Sequence, residues 1–208
     1  GGFLVLDETT LGFRLSAAGE TVWLISSNGV RVLDAVRFGG QENGVALGRT
    51  PDGAAGWRRL ESFTAGKANA SRRLEDVVLN ELMYHPISDD DADEFVELHN
   101  RSSKPVDLAG WRLAQGVAYT FPAGASIPGG GYVVVGRNVE RLRANHAQLT
   151  AANTFGNWSG SLRNSGERLS LSKPDEIMST NSVGQVSSDT IHIEVSTVDY
   201  RDAGRWGQ

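Results

Sequence analysis

Apolar and polar residues alternate over short stretches along most of the chain, and turn residues separate the stretches. Glu94-Phe95-Val96-Glu97-Leu98-His99-Asn100 is the clearest case, and its period of two predicts a half-buried strand. Phe3-Leu4-Val5-Leu6, Thr21-Val22-Trp23-Leu24-Ile25, Val30 to Phe38, Val77 to Met83 and Tyr132-Val133-Val134-Val135 also read as strands. Asn28-Gly29 lies between two of these runs and predicts a hairpin, because both residues tolerate φ > 0. Thr50-Pro51-Asp52-Gly53 reads as a turn, and Pro128-Gly129-Gly130-Gly131 as a turn leading into a strand. A helix is expected only at Val139 to Gln148, with Arg141, Arg143 and His146 on a solvated face. Thr64 to Ser71 is small and polar and reads as a linker. Strands recurring about every ten residues between Gly, Pro, Asn and Asp turns predict an all-β, antiparallel sandwich.

The chain also repeats itself. Gly1-Gly2-Phe3-Leu4-Val5 returns as Gly130-Gly131-Tyr132-Val133-Val134. Leu15-Ser16-Ala17-Ala18-Gly19-Glu20-Thr21-Val22-Trp23-Leu24 returns as Leu162-Arg163-Asn164-Ser165-Gly166-Glu167-Arg168-Leu169-Ser170-Leu171. Spaced self-similarity marks a repeated structural unit. The order of the pieces predicts that 1–70 is the back half of a first unit with a linker. On the same reading 71–208 is a second unit without its last strand, whose counterpart is Leu47-Gly48-Arg49.

Composition narrows the functional classes. A 39% hydrophobic, 22% charged chain of 208 residues fits a globular protein with one large domain or two small ones. The absence of Cys excludes disulfides and thiolate metal sites. No apolar run approaches the roughly 20 residues of a membrane-spanning helix. A net charge of −5 argues against a bulk nucleic-acid role, and the basic doublets Arg58-Arg59 and Arg72-Arg73 are too few for a phosphate footprint.

Val78-Leu79-Asn80-Glu81, Asp93 to Asn100, Val106-Asp107-Leu108-Ala109-Gly110-Trp111-Arg112-Leu113, Phe121-Pro122, Ile127 to Val134 and Leu162 to Glu167 follow one another in order. Together they resemble the lamin tail domain in its bacterial form, and 1–70 resembles the back half of the same domain. The resemblance implies an immunoglobulin-like sandwich without catalytic residues or cofactor. It also implies a place in large exported or cell-surface proteins, beside hydrolase, nuclease or kinase-like domains. Asn80, Glu81, Glu94, Glu97, Asn100, Gly110 and Trp111 then become structural motif positions. The partners implied are other domains of a parent protein, surface proteins or polymers, with self-association through unpaired sheet edges.

Several residues invite a chemical reading. Trp111 is expected in the core, as are Trp23, Phe38 and Tyr132, because large aromatics dominate sandwich cores. Trp57, Trp158 and Trp206 lie among Gly and polar residues, and exposed Trp158 and Trp206 would stack on a sugar. Asp89, Asp90, Asp91, Asp93 and Glu94 offer hard oxygen ligands for Ca²⁺. Their spacing does not match a calcium loop, so a solvated acidic turn is expected. Glu94 and Glu97 are three apart on a strand, hence on opposite faces and unable to work as an acid–base pair. The four His residues are scattered without metal-ligand spacing. Three readings follow: a non-catalytic interaction module, a carbohydrate-binding module, and an enzyme. The missing nucleophile or acid–base set argues against the last.

Overall fold

The computed structural model describes residues 2–180 and 183–201. The chain folds as two units, each closed by a return of the C-terminal segment. One comprises Gly1–Leu74 with Asp175–Ile193, the other Glu75–Pro174 with Glu194–Gln208.

The first unit begins with 2–7, which form no strand, so the strand expected at Phe3 to Leu6 is absent. A strand exists by pairing, and this segment has no ladder partner among the described residues. A short helix, α1 (Glu8–Leu11), follows behind an Asp7 cap. β1 (Glu20–Ile25) and β2 (Val32–Phe38) form the antiparallel hairpin that Asn28-Gly29 predicted. β3 (Leu47–Arg49) pairs with β4 (Trp57–Arg59) across the Pro51 turn. The stretch read as a linker is bonded back onto this pair: the Asn69 Nδ2 amide donates to the Arg49 carbonyl, and Leu60 bridges Arg72.

The second unit is the sandwich. One sheet holds β5 (Val77–Met83), β6 (Phe95–Asn100), β11 (Tyr132–Gly136) and β12 (Thr154–Gly156), in the order β12-β11-β6-β5. The other holds β8 (Arg112–Ala114), β9 (Val117–Thr120), β13 (Ser159–Gly160), β14 (Gly166–Thr180) and β15 (Val186–Arg201), in the order β13-β9-β8-β14-β15, with β14 from Asp175 on and β15 up to Ile193 counted in the first unit. β7 (Val106–Asp107) and β10 (Ser126–Ile127) pair as a small ribbon. Every named pairing is antiparallel except β11 with β12. The two sheets bury a core that includes Leu98, Leu113, Phe121, Ile127, Leu169 and Leu171. The β6 pattern follows from its sequence: Val96, Leu98 and Asn100 point inward and Phe95, Glu97 and His99 are half exposed.

The expected helix is α2 (Val139–Asn145). The Asn138 side chain caps it by accepting from the Arg141 backbone N–H, and Leu142 buries itself over Gly136. Arg141 and Arg143 do not form a solvated face: both guanidiniums are taken up by other elements.

Two turns share one geometry. Gly19 and Gly166 both sit at positive φ, and a Cβ on either would lie within 2.5 Å of a strand carbonyl, that of Phe38 or Tyr200. Each glycine donates its N–H to the residue three before it, Ser16 or Arg163. That same residue donates its own N–H to the following glutamate, Glu20 or Glu167. Only glycine meets this conformation and this close approach together.

Candidate functional site

The densest polar cluster surrounds the start of β6. Asp90 caps a single 3-10 turn, Asp91–Asp93, by accepting from the Ala92 N–H. Asp93 then turns towards α2. The Arg141 Nε donates to its Oδ1 at 2.6 Å and Nη2 to its Oδ2 at 2.8 Å, a bidentate pair. Arg141 also lies 2.9 Å from Asp90, and Arg137 lies 3.3 Å from Asp91. The hydrogen bonds from Arg141, with one from the Ser88 hydroxyl, hold the Asp93 carboxyl down to about 2. The acidic turn is therefore closed by guanidinium charge, not simply solvated. Asp89 stands outside this network, at positive φ, with its carboxylate 3.3 Å from His85. Among the described residues, Asp89, Asp91 and Asp93 are not gathered into a metal-sized group.

Glu94, the next residue, is fully buried. Its Oε2 accepts the Leu162 backbone N–H at 3.1 Å, while Oε1 has no partner. Burial pushes this carboxyl up to about 7; the Leu162 bond pulls the other way. Asp91 and Glu167 add to the rise and Arg137 opposes it. Glu167 itself accepts from the Tyr200 hydroxyl at 2.8 Å, and burial and that carboxylate push the Tyr200 phenol well above its usual range.

The other motif positions are held in the fold. Asn100 is fully buried, and its amide donates to the carbonyls of Lys104, Ile127 and Pro128. Its Oδ1 accepts from the backbone and hydroxyl of Ser102, so one side chain ties the loop after β6 to the turn after β10. Asn80 sits at a bulge of β5 and donates to Glu97 at 2.7 Å. Glu81 lies directly opposite Glu97 in the β5–β6 register, a neighbour relation that counting along β6 alone did not reveal. Gly110 holds positive φ, and a Cβ there would press on Pro174 at 3.2 Å.

The tryptophans depart most from expectation. Trp111 is half-buried, packed against the core margin and not sealed between the sheets. Trp158, whose exposure only the carbohydrate-binding reading required, is 5% exposed and part of the core, with its indole N–H unpartnered. It has no free face for stacking. Trp57 is half-buried in β4, and the Arg49 guanidinium covers its ring at 4.8 Å. Trp206 lies outside the described residues. Trp23 is 58% exposed and Tyr132 48%, while Phe38 is half-buried, so none of these three fills the core expected of it. Tyr132 instead stacks on His99, with ring centroids 4.3 Å apart.

Arg141, expected on a solvated face, instead pairs with Asp93 and Asp90. The sequence signal for this was charge complementarity between a helix with two arginines and the densest acidic run. A shallow depression of about 310 Å³, lined by Leu6, Glu8, Leu11, Phe13, Arg14 and Leu15, brings no acid–base set together. Chemically, this is a polar network that fixes strand ends and loops.

An all-β chain of antiparallel sheets with an immunoglobulin-like sandwich defines a structural class of module. The chain matches the Lamin Tail Domain over residues 70–190, more than half its length, and belongs to that family. No curated protein matches it significantly.

Proposed function

We propose that the chain is a non-catalytic interaction and structural module of a larger, exported bacterial surface protein. In this reading 1–70 is the back half of one lamin-tail copy and 71–208 a second copy. Its partners are other domains of the parent protein, surface proteins or polymers. The observation that carries the reading is the use made of the motif's polar residues. Asn100, Glu94 and Glu97 are the groups an enzyme would use, and their bonds go to loop carbonyls, the Leu162 amide and Asn80. The matching turns at Gly19 and Gly166 support the two-copy reading. The carbohydrate alternative loses a stacking surface with Trp158 in the core.

The test is a panel of esterase, phosphatase, glycosidase and kinase substrates, with a glycan array alongside, on the full chain. No turnover and no saturable glycan binding are expected. Turnover that disappears in Glu94→Gln would overturn the reading.

A further inference from the structure

Within the first unit, β1 has one strand neighbour among the described residues, β2. Among the described residues its other edge has no ladder partner, and its last three residues are exposed on both faces: Trp23 is 58% exposed, Leu24 59% and Ile25 50%. The Gly19 and Gly166 turns align β1 with the first part of β14 residue for residue, Glu20 with Glu167 and Leu24 with Leu171. There the surroundings are complete. Ser170, Leu171 and Ser172 pair with Ala114, Leu113 and Arg112 of β8, and Leu169 to Ser172 are all buried. An apolar edge without Lys or Pro is the kind that proteins blunt or cover. The β1 edge carries Val22-Trp23-Leu24-Ile25 and neither device.

We propose that the open edge of β1 is a strand-acceptor site, and that its occupant is an extended antiparallel segment of the Gly110-Trp111-Arg112-Leu113-Ala114 type. Its Leu stands beside Leu24 as Leu113 stands beside Leu171. The main chain supplies the ladder, and the alternate side chains supply selectivity. The proposal rests on the two-copy reading and names the chemistry of the partner. The ligand is the front half of a lamin-tail fold, not a polymer.

The probe is a labelled peptide with the sequence of residues Asp107 to Gly116, titrated into the full chain and read by fluorescence anisotropy. Saturable binding is expected. It should weaken more than about tenfold with Leu24→Asp, a change at an exposed site that leaves the fold intact. It should also weaken with a peptide carrying Leu113→Pro, which removes a ladder donor without touching the protein. Absent binding, or binding indifferent to both changes, overturns the proposal. So does a dimer, seen by sedimentation and lost in Leu24→Asp, that does not take the peptide; the occupant would then be a second copy. An absent peptide complex with silent activity screens sinks this proposal alone, whereas turnover sinks the functional reading.

Discussion

β1 and the opening of β14 leave the same turn with similar sequences and meet opposite surroundings. Thr21-Val22-Trp23-Leu24-Ile25 is the more apolar strand, yet its last three residues are exposed. Arg168-Leu169-Ser170-Leu171-Ser172 carries two serines, and its last four residues are buried. Burial here is decided by neighbours. β8 and β15 flank β14, and among the described residues β1 has β2 alone. Apolar residues on a strand express a demand for partners, and the surrounding chain determines whether the demand is met.

The sharpest way to break the comparison is to truncate the matched leucines. Leu171→Ala removes a fully buried side chain and should cost about 2–5 kcal/mol in urea unfolding. Leu24→Ala removes a mostly exposed one and should stay within about 0.5 kcal/mol. Equal losses would mean that β1 is covered in solution.

The contrast also shows what was legible in the sequence. The β6 alternation, the Asn28-Gly29 hairpin and the single long helix were readable because each depends on residues close in the chain. The fates of Trp23, Trp111 and Trp158 were not, because exposure depends on strands that arrive from elsewhere. The strand expected at Phe3 to Leu6 failed for the same reason as β1's burial: the pattern was present, and among the described residues the ladder partner was not. The acidic turn was misread because its partner, Arg141, is 48 residues away from Asp93. Motif order revealed the family, whereas the roles of Glu94 and Asn100 needed their distant partners, the Leu162 amide and the Ile127 and Pro128 carbonyls.

Glu94 carries the next largest effect. Its folded pKa of about 7 lies above the ordinary 4.5, so the folded state binds the extra proton between those values. Stability from this group is complete below about pH 4.5 and is lost as pH rises through 7, by up to about 3 kcal/mol. Glu94→Gln should flatten that decline and be the more stable protein at pH 8. A wild-type profile that rises between pH 5 and 8 in parallel with the variant's would contradict the burial argument.

Asn100→Ala comes third. It leaves the Ile127 carbonyl and its neighbours without the amide in a buried site, at a cost of about 2 kcal/mol. Asn80→Ala is the control from the same motif: Asn80 is exposed at its bulge and should cost under about 0.5 kcal/mol. If the two variants melt together, the loop-tying role of Asn100 is wrong.

The smallest effect is set by the residue beside Glu94 and has the opposite sign. Asp93 is held down to about 2 against an ordinary 3.8, chiefly by the bidentate bonds from Arg141. A depressed folded pKa contributes stability that is complete above about pH 4 and is lost as pH falls through 3.8 towards 2. Arg141 is 39% exposed on its side chain, so solvent screens the pair and keeps its contribution small. Two adjacent carboxyls thus bracket a stability maximum near pH 4–5 between them, one losing its stabilisation below and one above. Arg141→Gln should shrink the acid-side loss, leaving the part due to Ser88, and leave the Glu94 decline untouched. Urea unfolding of wild type, Arg141→Gln and Glu94→Gln from pH 2.5 to 8 separates the limbs. If Arg141→Gln altered the neutral limb instead, the helix would be acting on Glu94, and the assignment of the guanidinium to Asp93 would fail.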